Sequence, residues 1–312
     1  MVNTDSAAIV VEGLRKSYGD LEAVRGISFQ VRRGEVFALL GPNGAGKTTT
    51  LEVLEGFRDR TAGSVSVLGL DPAGRPLALR SRVGIVLQDT AVEAYLTVRE
   101  VLERTAGYYP EPRGVTEVIE LVGLEAKSDQ RVKSLSGGQQ RRLDVALGIV
   151  GRPELVFLDE PTTGFDPSAR RESWQLVRTL AGTGTTVVLT THYMDEAQTL
   201  ADRLAIIAAG EIVAEGTPEA LGGRDTAAAR IRFQLPAGVA VEELPDRPET
   251  VAAAGTVVIR SEDELRVLHR LTGWALDRGV ELAGLSVDRP SLEDVYLQLT
   301  RAAAETPAGV SA

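Results

Sequence analysis

The sequence predicts an α/β protein built on a largely parallel sheet, and three observations lead there. Between Ile9 and about Arg224, short β-like runs alternate with helical ones, the arrangement of strands covered by helices. Val36-Phe37-Ala38-Leu39-Leu40 is a continuous apolar run ended by Gly41-Pro42, so it reads as a strand feeding a glycine-rich loop. From Lys47 onward, helix formers place Leu51 and Leu54 on one face, which marks the helix that follows.

The remaining elements follow in order. The apolar runs at 83–87, 155–158 and 187–189 read as further core strands, and 204–209 as another. Segments 98–108, 115–122 and 138–150 carry apolar residues three and four apart, which predicts helices. Leu221-Gly222-Gly223-Arg224 ends the pattern and marks a boundary. Beyond it the sequence predicts strands at 229–235, 256–260 and 280–287 and helices at 262–277 and 291–301. Domains are therefore expected at 7–224 and 228–301, with 302–312 as a disordered tail. Leu292, Val295, Tyr296 and Leu299 form a helical stripe that reads as core-facing.

Composition narrows the function. The 312 residues suffice for more than one domain, and a hydrophobic share of 43% is that of a globular chain. No apolar run approaches the roughly 18 residues that cross a bilayer. The N-terminus carries no basic region ahead of an apolar stretch, so secretion is not expected. With no cysteine, disulfides and thiolate metal sites are excluded. A net charge of −10 argues against a general nucleic-acid binder.

Gly41-Pro42-Asn43-Gly44-Ala45-Gly46-Lys47-Thr48 satisfies G-x-x-x-x-G-K-[ST] between a strand and a helix, the context that motif needs. Its glycines let backbone N–H groups wrap a β-phosphate with no Cβ in the way. Lys47 can set its ammonium against β/γ oxygens, Thr48 can ligate Mg²⁺, and Thr49 is placed for an α-phosphate. Leu155-Val156-Phe157-Leu158 delivers Asp159 and Glu160 at its tip, where two carboxylates need partners. A bound Mg²⁺ on Asp159 and an attacking water on Glu160, acting as general base, supply them. Ser136-Gly137-Gly138-Gln139 opens a helix with bare N–H groups that an anion can approach, and it also forms a capping box.

Together, in this order, the three blocks resemble the ATP-binding subunit of an ABC transporter. The resemblance implies a P-loop NTPase domain of the ABC type with a helical subdomain, followed by a small α+β C-terminal domain. It implies that strands near 9–13, 27–31 and 63–68 form an antiparallel layer. Further residues acquire roles by position: Tyr18 stacks on adenine, Gln88 senses Mg²⁺, and Asp166, after Phe165, communicates between subunits. His192, in Thr190-Thr191-His192, contacts the γ-phosphate as the switch histidine. His269 has no such company and reads as structural.

The resemblance also implies partners. Ser136, Gly137, Gly138 and Gln139 complete the ATP site of a second copy, so a homodimer sandwiches two ATP molecules with Mg²⁺. Translocation requires a separately encoded membrane-spanning permease, which places the chain on the cytoplasmic face of the membrane. The permease docks near 88–100, where Val92-Glu93-Ala94-Tyr95 departs from the aromatic-proline residues common in the family. Pro290-Ser291-Leu292-Glu293-Asp294-Val295-Tyr296-Leu297 resembles the tail of daunorubicin/doxorubicin-resistance exporter subunits, which points to drugs or other amphipathic cargo. The small domain is expected to aid subunit pairing or to steady the membrane partner. The competing reading is a soluble ABC ATPase with no membrane partner, which the single cassette and acidic balance disfavour.

Overall fold

β1 (Ala7–Tyr18) and β2 (Leu21–Arg32) open the chain as an antiparallel hairpin, turned by Gly19-Asp20 with Gly19 at φ +59°. Its inward residues are Ile9, Val11 and Leu14, and the phase change between Val11 and Leu14 is a bulge at Gly13, φ +57°. β3 (Val36–Leu40) is buried at all five positions, as a central strand covered on both faces must be. The glycine-rich loop then leads into α1 (Lys47–Leu54), and β4 (Ala62–Val67) returns to pair with β1. The first sheet is thus β2-β1-β4, antiparallel throughout, as the family resemblance implies. The computed structural model of the chain describes residues 7–86, 92–221, 228–252, 255–288 and 291–305.

The parallel core assembles next. After α2 (Leu77–Arg80) and β5 (Val83–Val86) come three helices, α3 (Val98–Ala106), α4 (Val115–Leu121) and α5 (Gly137–Ile149). Thr97 and Ser136 start α3 and α5 with full capping boxes to Glu100 and Gln139, each satisfying two orphan groups of the helix start. β6 (Leu155–Asp159), α6 (Pro167–Gly182), β7 (Thr186–Thr191), α7 (Met194–Leu200), β8 (Arg203–Ala208) and β9 (Glu211–Gly216) follow. The six-stranded sheet runs β5-β6-β7-β3-β8-β9, with only β9 antiparallel. β8 turns into β9 at Ala209-Gly210, both at positive φ, a tight hairpin not expected from the sequence. One apolar core spans the two sheets and α1, with Phe29 and Phe37 stacked at 5.5 Å between ring centres.

Residues Glu219–Gln298 form a second compact unit, and the first takes in the chain up to Pro218 together with the residues from Leu299. In the second unit β10 (Ala229–Gln234), β11 (Thr250–Val251) and β12 (Thr256–Ser261) precede α8 (Glu264–Arg278). β13 (Ser286–Asp288) and the part of α9 (Leu292–Glu305) up to Gln298 complete it, with an antiparallel sheet ordered β11-β12-β10-β13. Ile231 and Phe233 alternate inward on β10 and meet Val267 and Leu271 of α8. Leu292, Val295 and Tyr296 are buried as the stripe predicted, while Leu299 is only partly so.

Two expectations need correction here. The strand expected over 280–287 is reduced to Ser286–Asp288, because the preceding residues turn at Gly284, φ +68°. The last helix runs to Glu305, four residues into the expected tail, since Ala302, Ala303, Ala304 and Glu305 are strong helix formers. The boundary glycines Gly222 and Gly223, the tail beyond Glu305, Pro290 and Gln88 lie outside the described residues.

Candidate functional site

The glycine-rich loop is shaped by backbone contacts that admit nothing larger than hydrogen. A Cβ on Gly41 would meet Ile207 O at 2.3 Å, and one on Gly46 would meet Ala23 O at 2.5 Å. Gly46 also sits at φ +103°, where an L side chain is strained. The loop is tied down by Gly41 N–H to Thr191 O at 3.3 Å and Ala45 N–H to Pro42 O at 3.2 Å. These contacts hold the curve of the loop, and Lys47 at the N-terminus of α1 lines the opening.

Lys47 is the first residue of α1 and only 4% exposed. Its ammonium donates to Gly41 O (2.8 Å) and Pro42 O (3.1 Å) and lies 3.6 Å from Glu160 Oε1. Burial pulls its pKa below the ordinary lysine value, and the charges of Glu160 and Asp159 offset only part of that.

Glu160 follows the tip of β6 at φ +43°, a left-handed backbone for a residue with a long side chain. Its Oε2 accepts the Thr163 hydroxyl at 3.0 Å. Oε1 faces both Lys47 and His192, whose Nδ1 is 3.3 Å away, close but not aligned as a hydrogen bond. Burial pushes the Glu160 carboxyl up, yet Thr163, His192 and Lys47 together outweigh it and hold the group below the usual glutamate range. It is therefore an anion at neutral pH. Asp159, one residue earlier, accepts the Thr190 hydroxyl at 2.5 Å.

These groups share a cleft of about 690 Å³, lined by Tyr18, Asn43, Gly44, Gly46, Lys47, Thr48, Thr49, Glu160, Thr163 and His192. That volume matches a small-molecule ligand. Tyr18 is 40% exposed, with Lys16 Nζ 5.1 Å and Arg58 Cζ 5.3 Å from its ring centre. Ser136, Gly137, Gly138, Gln139 and Asp166 are not brought to this cleft; they line a separate one that shares only Thr163 with it. Asp166 caps α6 by accepting from Ser168 N–H and Ala169 N–H, and these bonds hold its carboxyl below the aspartate range.

Sequence reasoning missed two buried groups behind the cleft. Thr190 contacts both acids, since it also accepts the Glu160 N–H at 3.0 Å. Glu196 of α7 is fully buried and takes Thr162 Oγ1 (2.8 Å) and Trp174 Nε1 (3.0 Å) on Oε1. Burial raises its pKa, and hydrogen bonds from Thr191, Thr162 and Trp174 act against that. The one sequence signal for Glu196 was its place four residues past His192 on a short helix.

Another acid, Glu55, caps the end of α1. Burial first, then Asp159 and Glu52, push Glu55 up to about 8, and its Oε1 has no hydrogen-bond partner among the described residues. A carboxyl whose folded pKa is raised binds its proton more tightly when folded, so stability falls as pH rises from about 4.5 to about 8. Glu55→Gln should therefore be more stable than the parent at pH 9 by ~1–3 kcal/mol, and equal to it near pH 4. Thermal melts without metal or nucleotide check this; a gain independent of pH would refute the assignment.

Comparison with known proteins gives the same picture. The ABC transporter family model matches residues 24–163, and that of the ABC transporter domain-containing protein-like C-terminal domain matches 229–291. The chain is 38% identical over 304 residues to the daunorubicin resistance ATP-binding protein DrrA3 of Streptomyces coeruleorubidus, covering 94% of this chain and 96% of that one. It is 40% identical over 304 residues to the Nod factor export ATP-binding protein I of Rhizobium sp. (strain N33), covering 94% and 97%. Among solved structures, the ADP conformation of MJ1267, an ATP-binding cassette of an ABC transporter, superposes with a TM-score of 0.60 at 25% identity. That match covers 68% of this chain and 92% of the other.

Proposed function

The chain belongs to the ABC transporter ATP-binding family, and we propose that it is the ATP-hydrolysing subunit of a bacterial exporter that works in pairs. The observation that carries the reading is one carboxylate, Glu160 Oε1, 3.6 Å from the Lys47 ammonium and 3.3 Å from the His192 ring in a single cleft. Relatives named for daunorubicin resistance and for Nod factor export, matched over nearly the whole chain, support export of drugs or other amphipathic compounds.

In this reading the loop at 41–49 wraps the phosphates, Lys47 turns from Gly41 O and Pro42 O to the β/γ oxygens, and Tyr18 stacks on adenine. Glu160, an anion backed by Thr163, takes the proton of the attacking water. His192 contacts the γ-phosphate beside it. The donor set fits Mg²⁺: the Thr48 hydroxyl lines the cleft, and Asp159 at the end of β6 adds a carboxylate. Mg²⁺ needs only one or two protein oxygens when phosphates supply the rest. Thr48, Asp159 and Gln88 would hold it, and when bound it neutralises charge on the transferred phosphoryl group.

The signature residues Ser136, Gly137, Gly138 and Gln139 lie outside their own chain's Lys47 cleft, which supports their serving a second copy. Among the described residues no helix is long and apolar enough to cross a membrane, so translocation calls for a membrane-spanning partner. The cleft of about 510 Å³ beside Phe57, Leu77 and Tyr108, all more than half exposed, supports docking of such a partner on its cytoplasmic side. The test is solution scattering of Glu160→Gln with Mg²⁺-ATP. A particle of twice the monomer mass is expected with ATP but not with ADP, and a monomer under both conditions overturns the paired mechanism.

A further inference from the structure

We propose that Thr190 is the positioning residue for both acids of the site, its single hydroxyl fixing the Asp159 carboxylate and the Glu160 backbone at once. The inference rests on the roles given above to Asp159 and Glu160. Register puts Thr190 of β7 directly beside Asp159 of β6 on the neighbouring parallel strand, and it is completely buried. The Glu160 N–H at 3.0 Å can only donate, so the hydroxyl oxygen accepts there. Its one proton is then committed to Asp159 Oδ1, 2.5 Å away.

The two bonds do different work. The bond to Oδ1 fixes which Asp159 oxygen Thr190 occupies and leaves Oδ2 as the oxygen for a cation. The bond from N–H pins a residue at φ +43°, a conformation that persists only when its surroundings enforce it. Without it a part-buried N–H loses its partner, and Glu160 can relax away from Lys47 and His192. Thr191, next along the strand, points to the opposite face and accepts the Tyr193 N–H at 2.9 Å, so it cannot replace its neighbour. Threonine suits the place because a β-branched side chain has little χ1 freedom. Valine has the same shape and the same preference for strands, but no hydroxyl.

Thr190→Val, Thr190→Ser and Glu160→Gln are to be compared with the parent chain in three assays. These are steady-state ATP hydrolysis, ADP binding without metal, and Mn²⁺ binding to the ADP complex by electron paramagnetic resonance. Loss of an orienting partner behind a metal ligand costs on the order of 10- to 100-fold. Thr190→Val should lose about that factor in kcat and in Mn²⁺ affinity, with metal-free ADP binding unchanged. Thr190→Ser should recover most of both. Parent-like kcat and Mn²⁺ affinity in Thr190→Val overturn the inference, as does a serine variant no better than valine. Parallel loss of metal-free ADP binding also overturns it, because that marks a general packing defect. If the valine chain does not fold, Thr190→Ala is judged by the same criteria. Failure of the underlying reading looks different: Glu160→Gln would then hydrolyse ATP at the parent rate, whatever Thr190→Val does to Mn²⁺ affinity.

Discussion

Replacing Glu160 with glutamine should lower ATP turnover by a factor on the order of 100 to 10,000, the range of a lost general base, while nucleotide affinity holds. An amide keeps the size of the side chain and can still accept the Thr163 hydroxyl, so the cleft keeps its form. It cannot take a proton from water, and it removes the negative charge that now faces Lys47 and His192. Because Thr163, His192 and Lys47 hold the Glu160 carboxyl below the usual range, the parent is ionised at neutral pH, and a carboxylate is present there without a pH-dependent pre-equilibrium. Phosphate release under single-turnover conditions is the measurement. Turnover within a few-fold of the parent would remove Glu160 from the reaction.

Lys47→Ala should weaken ATP binding by about 2–5 kcal/mol, the cost of deleting one partner of a desolvated, hydrogen-bonded charge. The ammonium meets Gly41 O, Pro42 O and Glu160, so it is one partner of a buried charged cluster. Its lowered pKa reflects that dry setting, where a cation acts on phosphate far more strongly than in water. Loss of the charge also removes one of the influences that depress Glu160, so the carboxyl of the variant moves upward. Residual hydrolysis should then decline at a higher pH than in the parent as the solution is acidified. Titration calorimetry with ATP and a pH–rate profile read the two effects separately; unchanged affinity would show that Lys47 does not reach the phosphates.

What was legible in the sequence is what is local. The loop at 41–48 and the run ending in Asp159 and Glu160 are each contained in one strand and its exit, so residue type and spacing alone carry the chemistry. The capping boxes at Thr97 and Ser136 are local in the same way. Illegible was whatever depends on strands meeting side by side. Thr190 lies 31 residues from Asp159, and Glu196 34 residues from Thr162, and no periodicity links either pair. The left-handed backbone of Glu160 was equally hidden, since glutamate gives no hint of it. In the second unit, apolar residues over 280–287 imitated a strand, and only the turn at Gly284 shortens it.

The indole N–H of Trp174 resting on Glu196 has a practical corollary. That carboxylate also holds Thr162, two residues past Glu160, so any shift of this turn would alter the polarity around the ring. Tryptophan emission responds to such changes, and the chain has only one other tryptophan, Trp274, in the second unit. With Trp274 exchanged for phenylalanine, the protein becomes its own optical gauge. Stopped-flow fluorescence could then time the passage from ATP to ADP without any attached dye.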